Sequence, residues 1–162
     1  MQTKLLIFFT SMLPVSESRV AIPLGITMGL SQFQAFFYGT LGNIVIILPL
    51  ILFLEKTARF LSSRSSFFER FFNYLFEKTR RKHSKSFERY GALALVTFVA
   101  IPLPGTGGWS GVLAAFIFGI KPYRAFILIS LGIIIAGILV SFGWEGILKL
   151  VSIYRYHVNL SQ

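Results

Sequence analysis

Residues 90–120 read YGALALVTFVAIPLPGTGGWSGVLAAFIFGI, a run of 31 residues without a charge. The run is long for one membrane helix and short for two, since a span takes about 20 apolar residues. Its centre is poor helix material: residues 102–111, PLPGTGGWSG, hold two prolines and four glycines. Pro104 and Gly105 together signal a turn. An arm of roughly 12 residues on either side reaches only about 18 Å at 1.5 Å per residue, against a hydrocarbon core of about 30 Å. The stretch reads as a re-entrant hairpin, residues 90–120, with its tip near mid-bilayer.

The N-terminal region repeats this design on a smaller scale. Residues 4–14 (KLLIFFTSMLP) and 20–30 (VAIPLGITMGL) are short apolar arms around the polar VSESR, which carries Glu17 and Arg19. They form a first hairpin, residues 4–30. The leading apolar stretch after Lys4 resembles a signal peptide, but no small-x-small cleavage site follows, so it reads as retained. Broken backbone at membrane depth must be satisfied by protein or a wet cavity. Both hairpins are therefore expected to pack against other helices.

Two stretches are long enough to span: residues 35–54 and residues 123–144. Asn43 lies mid-span in the first, as an interhelical hydrogen-bonding group or a cavity-lining one. Pro49 is expected to kink that helix near one end. Tyr123 and Trp144 bracket the second span, where interface aromatics belong.

Between the two halves, residues 55–89 are basic: ten of the 16 Lys and Arg of the chain fall between Lys56 and Arg89. Phe68, Phe71, Phe72, Leu75 and Phe76 follow the i, i+3, i+4, i+7, i+8 spacing of an apolar helix face. The expectation is an amphipathic helix lying in the interface plane, with Arg80, Arg81 and Lys82 among lipid headgroups. By the positive-inside rule this connector is cytoplasmic. The same rule accounts for the net charge of +10 without a nucleic-acid partner. The chain has no Cys and no Asp, and His83 and His157 have no neighbours at ligand spacing. Metal, cofactor and catalytic dyad all lack residues to build on, and the chain does not read as an enzyme.

The halves resemble each other. Residues 33–43, FQAFFYGTLGN, match residues 123–133, YRAFILISLGI, with Ala35/Ala125, Phe36/Phe126, Leu41/Leu131 and Gly42/Gly132 identical 90 positions apart. AIPL recurs at residues 21–24 and 100–103, 79 apart. With the connector inside, the first span runs inward and the second outward. The fold class is then an all-α integral membrane protein. It forms one domain, residues 1–162: an inverted repeat of hairpin plus span (1–54 and 90–145), the connector between, and a tail, residues 146–162. Broken segments of opposed halves meet near the midplane, where transporters of this kind place substrate.

ESRVAIPLGITMGL with GTLGN, and then residues 90–120, resemble the small multidrug export protein family of bacteria and archaea, from about Glu17 to Ser141. That family is similar to the DedA and SNARE-associated Golgi proteins. The resemblance implies two opposed hairpins and, through the DedA relatives, movement of lipid or lipid carrier, at times tied to a proton gradient. The second tip carries no charge here, whereas an arginine follows the second proline motif in DedA proteins.

The implied function is a small transporter of an amphiphile (lipid, lipid carrier or hydrophobic drug), possible proton coupling included. The alternative is a membrane scaffold that recruits lipid through its basic, Phe-rich helix. A charge at membrane depth costs about 2.5–3.5 kcal/mol, so Glu17 and Arg19 are functional candidates. Arg19 suits an anionic headgroup, and Glu17 suits proton exchange. Pro23, Asn43, Pro102, Pro104, Gly105, Thr106, Gly107, Gly108 and Trp109 complete the expected substrate or proton site. Two hairpins in so small a chain are hard to shield from lipid, which points to a homodimer. The expected location is a prokaryotic cytoplasmic membrane.

Overall fold

The computed structural model describes residues 1–64, 70, 85–103 and 105–160. Among them the chain is all helical. Helix α1 is Gln2–Ser11, α2 is Glu17–Thr27 and α3 is Gln32–Arg64. Helix α4 is Lys85–Ala100, α5 is Gly108–Ile117 and α6 is Pro122–Leu160. Pro104 and the membrane-surface residues Phe68, Phe71, Phe72, Leu75, Phe76, Arg80, Arg81 and Lys82 lie outside the described residues.

Two helices are long and apolar enough to cross a membrane: Gln32–Ala58 within α3 and Pro122–Trp144 within α6. Only 33% and 39% of their most apolar windows are buried. The rest turns large apolar side chains outward, among them Phe33, Phe53, Leu131 and Phe142. Water would penalise such faces and lipid does not. Both helices run past the ends read from hydropathy, α3 to Arg64 and α6 to Leu160. Hydropathy marks where lipid contact ends. The helical backbone can continue beyond it, and residues 145–160 contain no proline to stop it.

The other four helices are 10 to 16 residues long, about 15–24 Å at 1.5 Å per residue. Helices α1 and α2 pack on each other and on α3, and α4 and α5 pack on each other and on α6. Across the halves, α3 packs on α6, α2 on α6 and α5 on α3. The core at this junction gathers Ile47 and Ile51 of α3, Val99 of α4, Val112 of α5 and Ile129 and Ile133 of α6.

The second short helix of each half ends identically. The N–H groups of Met28, Gly29 and Leu30 donate to the carbonyls of Leu24, Ile26 and Gly25. Those of Phe118, Gly119 and Ile120 donate to Ala114, Phe116 and Ala115. This is a Schellman cap, which needs a left-handed residue after the helix. Gly29 (φ +87°) and Gly119 (φ +64°), 90 positions apart, supply it.

The two AIPL copies, by contrast, occupy different places. Residues 21–24 lie inside α2, whereas residues 100–103 close α4 and enter the next loop. Pro102 disfavours helix at Ile101 and stops α4 at Ala100. The lone Pro23 is absorbed within a helix, without its N–H bond. The two tetrapeptides therefore do not occupy equivalent places, whereas the Schellman caps at Gly29 and Gly119 lie 90 positions apart.

Candidate functional site

The turn between α1 and α2 and the turn between α4 and α5 meet at the junction of the halves. Helix α5 begins without a side-chain cap, because its N-cap residue is Gly107. Its first N–H groups need acceptors. The Ser110 hydroxyl accepts the Gly107 N–H at 2.8 Å. Glu17, on the other half, accepts the Trp109 N–H at Oε1, 3.3 Å away. Glu17 is only 6% exposed and sits with φ +42°, in the left-handed region. That conformation costs a non-glycine residue about 1–3 kcal/mol and persists only where surroundings enforce it. A Cβ on Gly107 would fall on the Glu17 carboxylate. The glycine is what lets the carboxylate approach.

Arg19, two residues along α2, reaches the same loop. Its guanidinium donates to the carbonyls of Leu103 and Thr106, and to Val99 O at 3.3 Å. These carbonyls come free because Pro102 ends α4 and Gly105, at φ +86°, keeps the following loop out of helix. The Thr106 hydroxyl donates to Ile101 O at 2.7 Å and tightens the loop. A guanidinium presents several donors in a fixed fork, and here they are spread over backbone oxygens. The two charged side chains of the first turn thus both bond into the second half.

Trp109 ties the turns together a third time: its indole N–H donates to Met12 O at 3.1 Å. Below the carboxylate, the buried Asn43 donates from Nδ2 to Ser18 Oγ at 3.4 Å. Its Oδ1 has no partner among the described residues. It lies 3.1 Å from where a Cβ on Gly108 would stand.

Of the residues singled out from sequence, Glu17, Arg19, Asn43, Thr106, Gly107, Gly108 and Trp109 come together here. Pro102 and Gly105 are exposed and act through the loop's shape. Pro23 stands half-buried one turn beyond Arg19. Ser18 and the carbonyls of Met12, Val99 and Leu103 were not foreseen. Backbone oxygens carry no residue signature, and a lone serine in an apolar helix gives little signal. Among the described residues no group of three or more His, Asp or Glu gathers as a metal site would require.

A family model of small multi-drug export proteins matches residues 17–139, which is most of the chain. The chain belongs to that family. The matched segment begins at Glu17 itself and takes in α2, the turn between α4 and α5, both Schellman caps and the first half or so of α6. For this small multi-drug export protein, membership and the two span-length helices together give an integral membrane protein. No curated protein and no solved structure matches the chain.

Proposed function

We propose that this protein carries an amphiphile across the membrane, with the paired turns as the substrate and coupling site. One observation carries the reading. Each half supplies two helices too short to span, and their turns meet through Glu17, Arg19 and Trp109 beside two helices that can span. In this reading each short pair is a re-entrant hairpin, and the halves are an inverted repeat. The exchange of partners across the junction, α2 with α6 and α5 with α3, is what a two-fold relation produces. Transporters of that architecture place substrate where broken helices of the two halves converge.

The family is named for multi-drug export, which agrees with a carrier of amphiphiles. Kinship with the DedA proteins would extend the substrate to lipids or lipid carriers. Arg19, in this reading, trades its carbonyl partners for an anionic headgroup when substrate arrives. Glu17 takes up a proton as its bond to Trp109 opens, since an isolated carboxylate is costly inside a membrane. The remaining parts of the proposal are a bacterial or archaeal cytoplasmic membrane, a cytoplasmic connector and a homodimer that shields the hairpins.

The test is reconstitution in liposomes. Movement of labelled lipid and of a hydrophobic dye is followed with and without a pH gradient, for the wild type and Glu17→Gln. Wild-type movement above empty liposomes, stimulated by the gradient and lost in Glu17→Gln, is the expected result. Movement equal to that of empty liposomes for every substrate class tried refutes the carrier reading.

A further inference from the structure

Asn43 lies near the middle of the apolar run Gln32–Ala58 and is 1% exposed. The matching position in the second span, 90 residues on, is Ile133. A polar amide at that depth is therefore a feature of one half alone. Its Nδ2 donates to Oγ of Ser18, the residue after Glu17, at 3.4 Å. Its Oδ1 stands 3.1 Å from where a Cβ on Gly108 would be, and Gly107, the residue before, lies against the Glu17 carboxylate. The amide thus touches the immediate surroundings of Glu17 from both halves. Its Oδ1 accepts no hydrogen bond among the described residues. A buried oxygen left so is costly, and it calls for a donor that another state of the site supplies.

Ionised Glu17 is an acceptor only; the protonated acid gains one O–H that donates. The ionised form has its partner in the Trp109 N–H. The protonated form needs an acceptor. Oxygens of the nearby loop already receive donors: Leu103 O, Thr106 O and Val99 O from Arg19, and Ile101 O from Thr106. Met12 O receives the Trp109 indole. Asn43 Oδ1 is the buried acceptor beside them that receives none.

We propose that Asn43 is the partner of the proton-carrying form of Glu17: the ionised carboxylate caps α5 through Trp109, and the protonated acid turns to Asn43 Oδ1. This rests on the proton step of the carrier reading and supplies its second state. A hydronium ion gives its proton to one carboxylate oxygen and leaves as water. The new O–H donates to Oδ1, and the Trp109 N–H gives up its acceptor. The start of α5 is released in the same step, which ties proton uptake to the packing of the two turns. Return of the proton to water restores the cap.

Among the described residues, Arg19 is the charged group that acts on Glu17. Helix α1 carries only Lys4, which sits over the Tyr38 ring. Helix α5 has no charged residue, and neither do residues 32–54 of α3 nor residues 125–144 of α6. Asn43 is thus the polar side chain that α3 brings to this carboxylate.

The test is infrared spectroscopy of the purified full chain in uncharged detergent, titrated with acid. The carbonyl stretch of protonated Glu17 is the acid band absent from Glu17→Gln. In Asn43→Leu that band should move to higher frequency, as for an acid that has lost its hydrogen bond. Its midpoint should fall by about one pH unit, a tenfold loss of proton affinity on the scale of one hydrogen bond. The sign decides the matter. A leucine that only made the site more apolar would favour the neutral acid and raise the midpoint. Loss of an amide N–H bonded to the carboxylate would raise it too. A second measurement needs no substitution at Asn43. With isotope-labelled asparagine, the wild type should show an amide carbonyl shift to lower frequency as Glu17 protonates, and Glu17→Gln should not. An unmoved or raised midpoint in folded Asn43→Leu, or no asparagine shift in the wild type, overturns the proposal. No transport is measured, so a carrier active in liposomes survives that failure.

Discussion

The Glu17 carboxylate caps a helix that belongs to the other half of the chain, accepting the Trp109 N–H at 3.3 Å. Gly107, the residue in the N-cap position of that helix, has no side chain to do so. Glu17→Ala removes the acceptor and leaves a buried N–H unmet, a loss of about 1–3 kcal/mol. Glu17→Gln keeps an oxygen in place and should lose less. Thermal unfolding of the two variants in detergent measures the difference, and equal melting temperatures would show that the cap contributes nothing.

Gly107→Ala should disturb the same contact from the opposite side. The φ of Gly107 is −123°, which alanine accepts, so its cost is the collision of the new methyl with the carboxylate. That collision vanishes when Glu17 is shortened. A double-mutant cycle of Gly107→Ala with Glu17→Ala should return a coupling energy of about 0.5–3 kcal/mol. Simple additivity would mean the two residues do not share a site.

Arg19 spreads its donors over the carbonyls of Leu103, Thr106 and Val99. An ammonium is a compact point charge and cannot reproduce the fork. Arg19→Lys should therefore loosen the loop nearly as much as Arg19→Met. With Leu103→Cys as a single thiol, both variants should raise the maleimide labelling rate several-fold. A Lys variant that labels like the parent would reduce Arg19 to a generic positive charge.

Glycine substitutions should divide by contact. A Cβ on Gly132 would stand 2.6 Å from Val99 and 3.0 Å from Val96 O, and one on Gly42 would meet Phe8 O and Ser11 Oγ. Gly143 has nothing within 4 Å. Gly143→Ala should stabilise by about 0.5–1 kcal/mol through helix propensity. Gly42→Ala and Gly132→Ala should destabilise despite the same propensity gain. Melting temperatures of the three variants decide it.

The topology of the proposed inverted repeat is open to labelling. Arg70→Cys and Asn159→Cys should react with an impermeant maleimide from opposite sides of the membrane in intact cells. Reaction from one side for both would overturn the opposed orientation of the halves.

Residue identity carried the lipid-facing part of this protein. Uncharged length marks the two spans, because lipid accepts only apolar side chains and a helix has a fixed rise. Proline and glycine mark the second turn, because they exclude helix locally. Glu17 and Arg19 stood out because charge is costly where they lie. Their partners were invisible, since a carbonyl belongs to every residue and becomes an acceptor only where a helix stops beside a donor. The likeness of the two AIPL copies misled for a related reason: four residues specify neither a helix interior nor a helix end. The tertiary structure alone decided that Gly29 and Gly119 close their helices with the same Schellman cap. It alone decided that the carboxylate of one half meets the bare helix start of the other, because that hydrogen bond joins positions 92 apart and depends on how the helices pack.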